Sequence, residues 1–231
     1  MALLAGIDGC KDGWICVALD TVSGSLSGSV LATGEIPRQR WDLAGIDIPI
    51  GIPDHGRRDA DREARALLGW PRCSSVFPCP IRPALAAWSW EEACAITQAA
   101  DGRRVQRQTF AILPKIREID ELMRGDPALR EHLYEVHPEV SFAAWKGQPM
   151  VFRKKARAGR EERQALIHSH FGKDAFSAVA RQLAGHWFGA DDLADAFAAL
   201  WTTQRLYDRR AVSLPAEPQH DSCGLPMHIW Y

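Results

Sequence analysis

No apolar run in this chain of 231 residues approaches the roughly 20 residues that span a bilayer, so a transmembrane helix is excluded and no membrane partner is expected. The opening stretch meets an acid at Asp8 before a signal-peptide core could form, which leads to the expectation of a cytoplasmic protein. Sulfur chemistry has equally little to build on. Cys10, Cys16, Cys73, Cys79, Cys94 and Cys223 form no Cys-x-x-Cys pair and no zinc-ligand spacing, so they read as reduced thiols. An excess of one charge is missing too: a formal net charge of -1 provides no overall field to attract nucleic acid, though it leaves room for a local basic patch. What is present is ordinary for a globular protein, with 46% hydrophobic and 25% charged residues. A chain of this length can bury a core without disulfides, and no low-complexity linker divides it. It is therefore read as one domain over 1–231.

Apolar runs at 3–7 and 14–19, separated by the Lys11-Asp12-Gly13 turn, predict two strands. A weaker third strand at 29–33 completes an antiparallel meander. A fourth, at 43–48, is stopped by the Pro49, Gly51, Pro53 series. Helical periodicity follows at 57–68, 90–100 and 106–123, with a kink expected at Pro114, and 54–130 reads as a helical insertion. A further strand at 133–136 leads into His137-Pro138-Glu139, and helices are predicted at 160–170, 175–183 and 192–207. The last residues, 224–231, are expected to add a short edge strand. This order predicts an α/β fold: a mixed sheet, made of a three-strand antiparallel meander plus parallel strands, with helices on its faces.

The most informative pattern is an echo. Leu4-Ala5-Gly6-Ile7-Asp8 recurs as Leu43-Ala44-Gly45-Ile46-Asp47. Each copy reads as a buried strand ending in a carboxylate, and alternation puts Gly6 on the face of Asp8 and Gly45 on that of Asp47. Were the strands parallel neighbours, the two carboxylates would meet beyond their carboxyl ends, where open α/β sheets bind ligands. An aspartate ending a strand also serves simply to cap a turn. A third source of acid is Asp191-Asp192-Leu193-Ala194-Asp195, with Asp192 and Asp195 on one helical face. Asp192 suits an N-terminal cap, whereas Asp195 lies among apolar residues, where an acid is costly unless it meets a cation. Glu139 and His137, past the next strand, are a further candidate ligand and a candidate proton shuttle. Glu135 beside them is a secondary candidate. Like charges at close range oppose ionisation, so such a cluster implies a bound hard cation, magnesium or manganese. Pairs of such ions about 3.5 to 4 Å apart cleave phosphodiesters, which makes hydrolysis of a phosphate ester the expected reaction.

Several blocks in order, GIDGCKDGW at 6–14, GIDIPIGIP at 45–53, RDADREARALLG at 58–69, SSVFPCPIRPAL at 74–85, LPKIREID at 113–120, EVHPEVSF at 135–142 and DDLADAFAALW at 191–201, resemble the domain-of-unknown-function family 429. Members of that family are described as ribonuclease H-like nucleases, and the likeness covers most of the chain. It implies a ribonuclease H-like sheet, with metal-holding acids falling on Asp8, Asp47, Asp192 and Asp195. The Asp-x-x-Asp-Ala spacing looks most like that of bacterial Holliday-junction resolvases. One departure is the short connection of 35–42 between the third and fourth strands, where a helix is expected to be missing or reduced to a turn. The insertion is expected over the carboxylate crevice, with Lys11, Arg58, Arg62, Arg82 and Lys115 available to contact phosphate of a nucleic acid or nucleotide substrate. Most of these cations would equally suit a solvated surface. Two other functions stay open: a nucleotide-dependent phosphotransferase of the actin-like class, suggested by Gly6-x-Asp8-Gly9 with Lys11 and Gly13, and a non-catalytic binding or scaffold module.

Overall fold

The computed structural model describes residues 1–231. The chain forms two compact units. The first comprises Met1–Asp47, Ala128–Val212 and Trp230–Tyr231; the second comprises Ile48–Pro127 and Ser213–Ile229.

The first unit is built on a mixed five-stranded sheet in the order β3-β2-β1-β4-β5. Its strands are β1 (Leu3–Cys10), β2 (Gly13–Asp20), β3 (Leu26–Leu31), β4 (Leu43–Ile46) and β5 (Leu133–Glu135). β1, β2 and β3 form the antiparallel meander, and β4 and β5 add in parallel to β1. A short 3-10 helix at Thr33–Arg38 occupies the β3–β4 connection. The fourth strand, expected out to 48, ends at Ile46, and the third begins three residues and ends two residues earlier than expected, at Leu26–Leu31.

Helices α4 (Pro138–Lys146), α5 (Arg157–Phe171), α6 (Ala175–Gln182) and α7 (Ala190–Tyr207) complete this unit. α4 is an element that the sequence pattern did not reveal. Nearly continuous burial of its residues from Pro138 to Ala143 erases the two-faced periodicity that marks a surface helix. Glu139, past the strand as expected, therefore sits in the first turn of this helix.

α7 is buried without interruption from Leu193 to Thr203 and covers β1 and β4. Two glycines permit its approach. A Cβ on Gly6 would stand 2.1 Å from both Ala196 O and Leu200 N, and one on Gly45 would stand 2.8 Å from Thr203 Oγ1. Thr203 Oγ1 also donates to Ala5 O at 2.8 Å, fastening the helix to the sheet backbone. On the far side of α7, Trp145 of α4 stacks on Trp201 at 5.1 Å.

The second unit contains α1 (Asp59–Leu68), α2 (Trp90–Asp101), α3 (Arg107–Gly125) and a two-stranded sheet of β6 (Ser213–His220) and β7 (Pro226–Trp230). α3 continues through Pro114 as one helix. The C-terminal strand expected at the edge of the main sheet pairs instead with β6. In the first unit only a single parallel bridge, Val136 to Trp230, joins the chain end to the larger sheet. No helix is long and apolar enough to cross a membrane.

Candidate active site: a carboxylate cluster around a lysine

The echoed segments pair residue for residue, Leu4 with Leu43, Ala5 with Ala44, Gly6 with Gly45 and Ile7 with Ile46. The Asp47 N–H then donates to Ile7 O at 2.9 Å, so Asp8 and Asp47 leave the ends of adjacent parallel strands side by side. Since each shares a face with its glycine, both carboxylates lie on the side that α7 covers. α7 runs antiparallel to β1, with Thr203 beside Ala5 and Ala196 beside Gly6, which brings its N-terminal Asp195 and Asp192 to the Asp8 end. Glu139, from α4, also acts on Asp47 and Asp195 through its charge.

Burial dominates the electrostatics of this group. Asp8, Asp195 and Glu139 are buried, and Asp47 and Asp192 are partly exposed. Burial, then the charges of Asp47 and Asp195, raise the Asp8 carboxyl well above the ordinary range. Burial lifts Asp47 to about 6, against the pull of Lys154 and a hydrogen bond from Asp8. Asp195 is lifted to about 7, burial again outweighing Lys154. The charge of Asp47 raises Asp8, while a hydrogen bond from Asp8 pulls Asp47 down, so the titration of each carboxyl depends on the other. Asp192 is raised as well, first by burial, and its Oδ2 accepts from Gly189 N at 2.7 Å. It caps α7 while standing at the edge of the cluster.

Sequence reasoning missed the cation at the centre. Lys154, in the connection between α4 and α5, donates from Nζ to Asp195 Oδ2 at 2.6 Å and lies 3.9 Å from Asp191. Burial alone would lower its pKa, but Asp195, Asp8 and Asp47 outweigh burial and hold it above its ordinary value. A second cation was also missed. Arg163 of α5, fully buried, donates to Glu139 Oε1 and to Gly159 O. The only sequence signal for Lys154 is the basic run Arg153-Lys154-Lys155, which reads as a solvated turn.

Two cluster oxygens, Asp195 Oδ1 and Glu139 Oε2, are buried without a hydrogen-bond partner. No three Asp, Glu, His or Cys side chains stand together as a ready-made metal-holding group. His137, half-buried, contributes its carbonyl, which accepts from Val140 N at 2.9 Å and Ser141 N at 3.0 Å and so starts α4. Glu135 is buried at the end of β5.

The expected phosphate contacts fall in different places. Lys11 is exposed in the β1–β2 turn with its Nζ 4.8 Å from the Trp187 ring centroid. The other four belong to the second unit. Arg58 is buried and committed to Asp61 at 2.6 Å, and it also donates to Ile50 O. Arg82 bridges Asp120 at 3.0 Å and Asp221 at 2.5 Å. Both arginines hold that unit together. Arg62 is exposed and pairs with Asp59 of the same helix at 2.5 Å, and Lys115 is partly buried on α3.

Fold and cluster define a mixed α/β protein whose sheet delivers aspartates from adjacent parallel strands into a largely buried carboxylate group. The chain belongs to the family described as Protein of unknown function (DUF429), whose pattern matches residues 6–220. No curated protein and no solved structure matches it.

Proposed function

We propose that the chain is a cytoplasmic, divalent-metal-dependent phosphodiesterase of ribonuclease H-like type, a nuclease acting on nucleic acid or nucleotide phosphate esters. The observation that carries this proposal is the convergence of Asp8, Asp47 and Asp195, with Asp192 and Glu139 beside them, in a cluster whose protonation is held abnormally high and which contains oxygens without partners. A structural role alone gives no reason to retain this costly arrangement, since like charges in low dielectric destabilise one another. The strand order β3-β2-β1-β4-β5, with an antiparallel meander leading into parallel strands, supports the ribonuclease H-like assignment.

The donor set fits magnesium or manganese, because every ligand on offer is a carboxylate oxygen, the preference of hard cations. Asp8, Asp47 and Asp195 would hold the ion, with Asp192 or Glu139 completing its surroundings. When bound, such an ion supplies activation of water and stabilisation of the leaving oxygen. Asp8 and Asp47, both raised by burial, would have to be ionised to hold the cation. Lys154, freed from Asp195, carries a positive charge that suits a phosphate oxygen, and Arg163 donates to Glu139 and so orients it. Glu139 acts on Asp47 and Asp195, and Asp47 acts on Asp195, whereas a non-catalytic scaffold would be favoured by Glu139 and Asp195 facing away from Asp8 and Asp47.

The test is cleavage of labelled single- and double-stranded DNA and RNA, and of a small aryl phosphodiester, with magnesium or manganese. Cation-dependent cleavage should fall at least about 100-fold in Asp8→Asn and in Asp195→Asn while the circular dichroism spectrum persists. Undiminished cleavage in both variants, or no cation-dependent turnover of any substrate, overturns the proposal.

A further inference from the structure

Lys154 is held in the carboxylate cluster by an anchored stretch of backbone. The segment that carries it is fixed on both sides. Upstream, Val151 N and Phe152 N donate to the Glu162 carboxylate at 3.0 and 3.1 Å, and Arg163 Nη1 donates to Phe152 O at 3.3 Å. Downstream, Ala156 N donates to Arg153 O at 3.0 Å, and Arg160 Nη1 donates to Lys155 O at 2.6 Å. Gly159 lets α5 press against the same segment, for a Cβ there would stand 2.0 Å from Arg153 O. Two of these anchors are neighbours on α5, and one of them, Arg163, also grips Glu139 of the cluster. The fold thus fixes the backbone beneath Lys154 and leaves the long side chain as the movable part. That side chain is 39% exposed, whereas the Asp195 side chain it meets is 3% exposed. The ammonium can therefore withdraw towards water without disturbing the backbone.

Charge makes withdrawal necessary for a divalent ion to enter. Arg163 neutralises Glu139, and Lys154 is the only cation paired with Asp195 or close to Asp191. A divalent ion among Asp8, Asp47 and Asp195 would be repelled by an ammonium hydrogen-bonded to the same Asp195, strongly so in a buried setting. The partnerless Asp195 Oδ1 sits on the carboxylate whose other oxygen Lys154 holds.

We propose that Lys154 is a built-in counter-cation that competes with the divalent ion for the cluster, and that an arriving phosphate ester, by taking over the ammonium, lets the ion bind tightly. Metal affinity is then coupled to the presence of an anionic substrate, so the cluster binds the ion weakly when idle. This rests on the metal-site assignment of the preceding subsection and adds to it the residue that regulates occupancy. Coupling of this kind is reciprocal: the metal must strengthen binding of the phosphate ester by the same factor.

Two measurements on the full chain test it. The first is calorimetric titration with manganese alone, in the wild type, Lys154→Met and Lys154→Arg. Lys154→Met should bind manganese roughly tenfold tighter or more, and Lys154→Arg should stay near the wild type. Adding a non-cleavable phosphorothioate dinucleotide should tighten manganese binding in the wild type and leave Lys154→Met unchanged. The second needs no variant: acylation of lysines followed by mass spectrometry, with Lys155 as the exposed internal reference. Saturating manganese should raise Lys154 labelling relative to Lys155 severalfold, because the side chain leaves Asp195 and becomes accessible to the reagent.

Equal or weaker manganese binding by Lys154→Met, or unchanged Lys154 labelling at saturating manganese, overturns competition while leaving the metal site standing. Absence of manganese binding in the wild type and in Lys154→Met, with and without the dinucleotide, overturns the metal site and the competition with it.

Discussion

Asp47→Asn should make the metal-free protein more stable at pH 8 while removing its response to divalent cations. The sign follows from proton linkage. Asp47 has its pKa raised from 3.8 to about 6, so the folded state binds this proton more tightly than the unfolded chain does. Its contribution to stability is complete below about pH 4 and is lost as pH rises through about 6. A shift of about two units corresponds to about 3 kcal/mol, and because Asp47 is partly exposed we expect about 2 to 3 kcal/mol. Asparagine carries no charge to desolvate, can still accept the hydrogen bond from Asp8, and relieves the repulsion on Asp8. At roughly 2–4 °C per kcal/mol for a chain of this size, the variant should melt about 4–12 °C above wild type at pH 8 and close to it at pH 4. Magnesium at about 100 times its dissociation constant should add about 2.7 kcal/mol to the wild type and much less to the variant. The assay is thermal unfolding between pH 4 and 8 in chelator and in magnesium. A variant destabilised equally at pH 5 and pH 8 would show that Asp47 is a satisfied structural carboxylate and refute the reasoning.

Three other outcomes follow from the packing and the ion pairs. Gly6→Ala should cost about 3 kcal/mol or more, or prevent folding, because its Cβ would stand 2.1 Å from the α7 backbone; urea unfolding with near-wild-type stability would contradict the close sheet–helix contact. Arg163→Met should lose about 3–5 kcal/mol by leaving Glu139 buried without its partner, and adding Glu139→Gln should restore much of that loss in a double-mutant cycle. Arg82→Ala should lower the denaturation midpoint, whereas a role confined to substrate would leave the midpoint unchanged and alter only phosphate-ester affinity. The expected loss is about 2–4 kcal/mol, since Asp120 and Asp221 lose a shared partner.

Much of the sheet and all three central acids, Asp8, Asp47 and Asp195, were legible because they are written locally. The echoed Leu-Ala-Gly-Ile-Asp segments announce two like strands ending in acid, and their glycines share faces with those acids by alternation alone. Asp195 announced itself by sitting among apolar residues of a long helix. Even so, the sequence left open whether the strands were neighbours; that they pair in register, Gly6 against Gly45, is a tertiary fact that turns two isolated aspartates into an interacting pair. Helix α4 escaped because burial on all sides removes the periodicity that identifies a helix. Lys154 escaped because its partner Asp195 lies 41 residues away, and locally it is one of three consecutive basic residues. The same limit applies to Arg82, whose partners lie 38 and 139 residues along the chain. Composition and spacing record which charges a chain carries and on which face of a local element they fall. Which charges neutralise one another, and hence which carboxylates are left wanting a cation, depends on long-range packing, because Coulomb interactions act across space and burial sets their strength.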